Sequence, residues 1–422
     1  VNNPKGRSDE KNIATAHEYI VVYQKNEAIL SGFEPEENVT RRYNKVDKEG
    51  NRYRYIDLRK TGDSDRREDR PKMFYYFYFN QATGEFYPSY DERTPDGWIK
   101  IVPMKDDGSF GRWRVGIETA ESRKELLEPT YMSVKKRWTV MERDYLSDDL
   151  RVKATTAWTF KDLNSERGTE QFVDLGFDKN IFPRPKPLGT ILRPLLLSTK
   201  KGDVVLDFFS GSSTTAHAVM QLNAEDGGNR RFIMVQIPEP CDEKSEAYKA
   251  GYRNICEIGK ERIRRAGEKI KADSPLTTAD LDVGFRVFKL ADSNMKDVYY
   301  AADELDQQTL ADMVSNIKED RTALDLFFGC LLDWGLPLSM PYHSEEIDGC
   351  TVHTYNDGDL IACFDKNIPE SVVKEIAKRK PLRAVFRDAG FADSPAKINV
   401  FEIFKLYMPE DADDITKRVK VL

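Results

Sequence analysis

Asp207, Gly211 and the hydroxyl run Ser212-Ser213-Thr214 are the residues of this 422-residue chain whose types and spacing best suit a ligand site. A strand-end carboxylate accepts hydrogen bonds, a glycine lets the main chain turn tightly, and short hydroxyl side chains can serve the free N–H groups of a helix start. A phosphate-cradling loop would need Gly, four residues, then Gly-Lys-Ser/Thr, and no lysine lies between Gly211 and Thr215. The dinucleotide pattern Gly-x-Gly-x-x-Gly fails as well, because Ser213 stands where a second glycine should be. The set suits a nucleoside-type ligand without a pyrophosphate.

The elements that must position these residues can be read on either side. Val204 to Phe209 form an almost unbroken apolar run, which predicts a parallel strand buried on both faces. Thr215, Ala218, Val219 and Leu222 then recur at i, i+3, i+4, i+7, the spacing of one helical face. After the turn cluster Asp226-Gly227-Gly228-Asn229, residues Arg231 to Ile237 read as a second strand, stopped by Pro238 and Pro240. In an open α/β sheet the ligand lies beyond the carboxyl ends of the strands, here Asp207 to Ser213 and Gln236 to Glu239.

The string Asp-Phe-Phe-Ser-Gly-Ser-Ser-Thr-Thr-Ala-His-Ala from Asp207 resembles the S-adenosylmethionine (AdoMet) motif, Asp-x-Phe-Ala/Ser-Gly-Ser-Gly-Thr-Thr, of amino-methylating DNA methyltransferases. More narrowly it is similar to the modification subunit of type III restriction–modification systems. The resemblance continues through Leu222 to Glu239 and Ala250-Gly251-Tyr252 to Ile263. It reappears in Trp334 to Leu338, Phe386 to Phe391 and Lys397 to Val400, so it runs nearly end to end. The resemblance implies a Rossmann-like α/β methyltransferase sheet, incomplete on its N-terminal side, with a β-rich inserted recognition domain and a C-terminal α+β domain. It implies AdoMet held by Asp207, Phe209, Gly211, Ser212, Ser213 and Thr214, with Gln236 or Glu239 toward the ribose and Lys186-Pro187 at the methionine end. Ser213 replaces the later glycine of that motif, a departure expected to narrow the cofactor's approach.

The domains expected on this basis are residues 1–29 and 151–283 for the methyltransferase, 30–150 for target recognition, and 284–422 for assembly. The family's Asp-Pro-Pro-Tyr motif, whose carboxylate and proline carbonyl grip the amino group of a flipped base, is not in this sequence. The catalytic residues are therefore expected outside these residues, and the chain is expected to hold half an active site. The implied function is adenine-N6 methylation of double-stranded DNA, with a second modification subunit and a helicase–nuclease restriction subunit as partners. A solitary adenine-N6 or cytosine-N4 enzyme, or a chain that only binds DNA and partners, are the alternatives.

The remaining chain supports this organisation unevenly. Ala14 to Asn26 reads as a strand around Ile20 to Tyr23. Residues 30–150 mix arginines with aromatics, notably Met73 to Phe79, and a hairpin is expected about Asn80 to Gly84. Composition alone makes these aromatics a sheet core; position in the resembling family makes them base-stacking partners. Pro194 should kink or delay the helix after Phe182 to Pro187. Ser245 to Ile270 reads as one long helix, Gln307 to Leu332 as another, and Cys350 to Asp365 as a hairpin. Val372, Val373, Ile376, Phe401, Ile403 and Phe404 are expected to face a partner subunit.

The net charge of −7 is uneven: residues 1–200 carry 36 basic and 33 acidic groups, residues 201–422 carry 29 and 39. A DNA-binding surface requires only a local basic stripe, so this balance excludes little. Five widely spaced cysteines fit a reducing cytoplasm, and neither they nor the four scattered histidines suggest a metal site. No apolar run reaches the roughly 18 residues of a membrane span, so no membrane association is expected.

Overall fold

A computed structural model describes residues 16–296, 317–391 and 394–422, and divides the chain into two compact units, Val1–Gly284 and Phe285–Leu422. Among the described residues no helix is long and apolar enough to cross a membrane.

The first unit contains an all-antiparallel region. Strands β1 (Lys45–Val46), β2 (Arg52–Asp57), β6 (Leu127–Met132) and β7 (Arg137–Tyr145) form a four-stranded sheet in the order β1-β2-β7-β6. Strands β3 (Tyr76–Phe79), β4 (Phe86–Ser89) and β5 (Ile99–Ile101) form another, with β3 central. The β3–β4 hairpin pairs Phe79 with Phe86 across the expected turn, where Asn80 Oδ1 accepts from the Ala82 and Thr83 amides. Alternation along β3 sends Tyr75 and Phe77 into a core with Trp113 and Val140, and Phe74, Tyr76 and Tyr78 into a second. The Trp113 indole N–H donates to the Tyr75 carbonyl at 2.8 Å. These aromatics are therefore core, as composition alone suggested, and are not available to stack on bases.

The second region of this unit carries the candidate site. Its longer helices are α1 (Ser165–Asp174), α2 (Leu188–Ser198), α3 (Thr214–Asp226) and α4 (Ile255–Asp273), around the parallel pair β8 (Val204–Asp207) and β9 (Arg231–Met234). Leu195 of α2 and Ala218, Val219 and Leu222 of α3 pack on Val205 and Phe232, which covers one face of the pair. The opposite face is bare: Val204, Leu206, Phe208, Ile233, Val235 and Ile237 are about half exposed or more. The expectation of burial on both faces fails, since an unbroken apolar run says that both faces are apolar, not that both are covered. Nor do Ile20 to Tyr23 form a strand; they are exposed, without regular secondary structure and with no ladder partner among the described residues.

Two helix readings change as well. Helix α2 runs through Pro194, starting directly after Pro187. The expected helix Ser245 to Ile270 is two: a short one ends before Gly251, which adopts φ +99°, and α4 begins anew with Asn254 accepting from the Glu257 amide.

The second unit is a five-stranded sheet, β10 (Tyr342–Ile347), β11 (Cys350–Tyr355), β12 (Leu360–Cys363), β13 (Ala384–Phe386) and β14 (Val419–Val421), in sequential order. Strands β10 to β12 are antiparallel and β12 to β14 parallel. Helices α6 (Glu370–Lys378) and α7 (Ser394–Tyr407) make the parallel crossovers and cover one face; α5 (Ala323–Asp333) covers the other. Of the helix expected at Gln307 to Leu332, residues 307–316 lie outside the described residues. Val372, Val373, Ile376, Ile403 and Phe404 are buried in the unit's own core and Phe401 packs against it, so these six do not form a partner surface. Amphipathic spacing identifies an inward face without saying what lies inside.

Candidate functional site

The turn from β8 to α3 is held by side chains that sequence reasoning assigned to a ligand. Asp207 Oδ1 accepts from the Phe209 amide at 3.0 Å and its Oδ2 from the Thr215 hydroxyl at 2.6 Å, tying the strand end to the first turn of α3. Gln236 Oε1 accepts from the Gly211 amide at 2.7 Å, which fixes the loop to the end of β9. Gln236 reaches the loop rather than standing free, while the Glu239 carboxylate is exposed and its main-chain carbonyl accepts from the Ile255 amide.

Gly211 and Ser213 both adopt positive φ, +49° and +60°. This conformation costs a residue with a Cβ about 1 kcal/mol or more, which accounts for glycine being usual at the position of Ser213. The Ser213 side chain is turned toward α4, where a Cβ on Gly259 would stand 2.6 Å from Ser213 Oγ. Contrary to expectation, the hydroxyls of Ser212, Ser213 and Thr214 do not cap α3, and no side chain caps its first turn. Ser212 Oγ and Thr214 Oγ1 instead accept from Arg262 Nη1 of α4, at 2.9 and 2.6 Å.

Arg262 is wholly buried, its Nε and Nη2 have no hydrogen-bond partner among the described residues, and burial holds its guanidinium down at about 10, still charged at neutral pH. One turn along α3 from Ser213, buried His217 has an unpartnered Nδ1. Desolvation, with Arg262 and Lys269 adding, pushes His217 down to about 3 and keeps it neutral.

Lys186 and Pro187 come to the same place. The Lys186 carbonyl lies 3.5 Å from Thr214 Oγ1, and its ammonium pairs with Glu18 Oε2 at 2.9 Å. Pro187 is buried as the residue before α2, and the chain just before it is pressed onto Gly168 of α1, where a Cβ would meet the Pro185 carbonyl oxygen at 1.9 Å. Phe208 and Phe209 project exposed rings 5.0 Å apart at the strand end. Thus Lys186, Pro187, Asp207, Phe209, Gly211 to Thr214 and Gln236 gather around one turn.

Sequence reasoning missed Arg262, Gly259 and Glu18. Arg262 had a signal: it falls at i+4 from Ile258 and i+3 from Gly259, on the apolar stripe of α4, where a cation is out of place. Among the described residues one group could hold a metal by proximity, Cys350, Cys363 and Asp365, with ligand atoms within 4.8 Å of one another. Burial raises both thiols, Cys363 to about 12, so the two cysteines sit protonated in the core, and Asp365 already accepts from the Thr351 amide.

With this geometry in view, comparison with known proteins is informative. The sequence signature of the DNA methylase family matches residues 1–264. The type II methyltransferase M.KpnI of Klebsiella pneumoniae is 37% identical over 261 residues, covering 61% of this chain and 59% of that protein. The Mod subunit of the type III restriction-modification enzyme EcoPI, from Escherichia phage P1, is 29% identical over 360 residues, 84% of this chain and 54% of its own. The StyLTI Mod subunit of Salmonella typhimurium is 45% identical over 128 residues, 30% of this chain and 19% of that one. The chain thus spans little more than half the length of the first two relatives. A signature covering well over half the chain and including the whole β8–α3–β9 unit leaves one assignment: the chain belongs to the DNA methylase family.

Proposed function

We propose that this chain is the cofactor-binding and target-recognition portion of a site-specific, AdoMet-dependent adenine-N6 DNA methyltransferase, the modification subunit of a type III restriction–modification system. The observation that carries the reading is the uncapped start of α3, held at the carboxyl ends of two parallel strands by Asp207 and Gln236. Such a helix start presents donors to an anionic group, and orphaned donors on Arg262 stand behind it. The donor set fits AdoMet, which when bound supplies an already activated methyl group.

Asp207 and Gln236 hold the loop in shape, the helix start and its hydroxyls meet the amino-acid end, and exposed Phe209 offers an apolar surface to the nucleoside. Lys186 and Pro187 line the entry to the methionine end, and Glu239, exposed in the segment that follows β9, is the carboxylate available to the ribose. The chemistry asked of the protein is positioning, because holding the amine and the methyl group in line removes most of the entropic barrier to reaction. The bare face of β8–β9 supports a catalytic half, bearing the grip on the adenine amine, that covers Val204, Leu206, Ile233 and Val235.

The β-rich region, residues 30–150, is assigned to sequence recognition. There exposed Arg67 lies 4.0 Å from the Phe74 ring, a cation at the surface of an aromatic core and available to phosphates, while Lys100, 4.4 Å from the Tyr76 ring, is paired with Glu92. Residues 284–422 are assigned to assembly with a second modification subunit and with the restriction subunit. M.KpnI, by name a type II methyltransferase, favours a solitary enzyme over the 261 residues it matches; the EcoPI Mod similarity covers 84% of the chain, necessarily entering the second unit, and favours the type III reading. Calorimetric titration of AdoMet into the chain and into its Gly211→Asp variant tests the site: binding is expected for the first and not the second, and equal binding by both would rule it out.

A further inference from the structure

Arg262, beneath the loop, is a charged residue that folding alone does not explain. It occupies the centre of the apolar stripe of α4 between Ile258 and Ile263, where a methionine or leucine would satisfy the core without desolvating a charge. No ion pair compensates it among the described residues, and burial is the only influence on its protonation. A guanidinium has five N–H donors and no acceptor. Here Nη1 is bonded to two hydroxyls, while Nε and Nη2 meet no partner among the described residues.

What Nη1 does to those hydroxyls is specific. A hydroxyl has one proton to give and two lone pairs. Arg262 occupies one lone pair on Ser212 Oγ and one on Thr214 Oγ1, residues only 4% and 6% exposed, which turns the proton of each hydroxyl away from the guanidinium. Neither has a good acceptor: the nearest to Thr214 Oγ1 is the Lys186 carbonyl at 3.5 Å, and Ser212 Oγ lies 3.5 Å from Thr214 Oγ1 itself. Two donors polarised by a buried cation therefore stand at the uncapped N-terminus of a 13-residue helix. The helix start and the guanidinium both favour a negative charge at this point, against the Asp207 carboxylate bonded to Thr215.

We propose that Arg262 is a positioning residue that acts through Ser212 and Thr214 to select a ligand whose amino-acid end carries a carboxylate. This rests on the AdoMet reading of the loop and deepens it: the nucleoside makes the ligand fit, and Arg262 makes the site require its carboxylate. Arg262 does not touch the ligand. It commits the two hydroxyls that do and supplies the charge behind them.

The test compares AdoMet with decarboxylated AdoMet by calorimetric titration into the 422-residue chain. The wild type is expected to bind AdoMet at least tenfold more tightly than the decarboxylated form. In Arg262→Met that ratio is expected to fall toward one, and Arg262→Lys, which keeps the charge, to restore part of it. Circular dichroism and thermal melts establish that the variants are folded. Should Arg262→Met fail to fold, the wild-type ratio and the Thr214→Val variant, expected to lower it, decide the matter. Equal wild-type affinity for the two ligands, or an equal loss of both in Arg262→Met, overturns the role of Arg262 and leaves the AdoMet site standing. Binding of neither ligand by the wild type overturns the AdoMet reading and this inference with it.

Discussion

Gly259 and Ser213 approach so closely that a single methyl group on the first would stand 2.6 Å from the hydroxyl oxygen of the second. Helix α4 is thereby pressed against a residue in the left-handed region, and the loop has no room to relax on that side. Gly259→Ala is expected to destabilise the first unit by about 1–3 kcal/mol, the usual cost of overpacking, and to weaken AdoMet binding. The double variant Gly259→Ala, Ser213→Gly should recover most of the loss, and Ser213→Gly alone should stabilise by up to about 1 kcal/mol by relieving the strained φ. Chemical denaturation of the four proteins checks this; a double variant no better than Gly259→Ala would refute it.

Stability should also fall with acid in a way traceable to His217. Its folded pKa, about 3, lies well below the ordinary 6.5, so the unfolded chain takes up a proton that the folded one refuses. The contribution is fully present above about pH 6.5 and is lost as the pH falls toward 3, at up to about 1.4 kcal/mol per pH unit. Thermal melts between pH 7 and 4 should therefore decline less steeply for His217→Leu than for the wild type. Parallel slopes would show that the buried imidazole is not the group responsible.

The cysteines should divide by reactivity. Burial raises all five thiols, and Cys330 and Cys363 reach about 12, while Cys241 and Cys256 are only partly covered. A thiol-labelling time course read by mass spectrometry is expected to modify Cys241 and Cys256 in the folded protein, and Cys330, Cys350 and Cys363 only after denaturant is added. Early labelling of Cys350 or Cys363 would contradict their place in the sheet core.

Exchange of residues 30–150 for those of a relative, within a complete enzyme, is expected to change the methylated sequence without abolishing transfer. Restriction protection of plasmids of known sequence reads the outcome. An active hybrid with unchanged specificity would remove recognition from this region.

The strand–turn–helix–strand order was legible because each signal was local: an apolar run, Gly211, a 3.6-residue spacing, and a second run after Asp226 to Asn229. What was not legible depended on partners distant in sequence. Capping by Ser212 to Thr214 lost to Arg262, about fifty residues on, because a buried cation competes for the same oxygens. The aromatics of β3 alternate between two cores, and alternation looks the same whether the facing layer is protein or a base. The six apolar residues expected to face a partner show the same limit: their spacing was right and their neighbour, the sheet of their own unit, was not foreseen.

The bare face of β8–β9 has a consequence for handling the protein. Val204, Leu206, Phe208, Ile233, Val235 and Ile237 form an exposed oily surface flanked by two strand edges that are unpaired among the described residues. Such a surface makes the chain amphiphilic on the scale of a whole domain, and concentrated preparations should scatter light and brighten an apolar dye while still fully folded. The same sheet that shapes the cofactor loop thus sets the concentration at which the chain begins to adhere to itself.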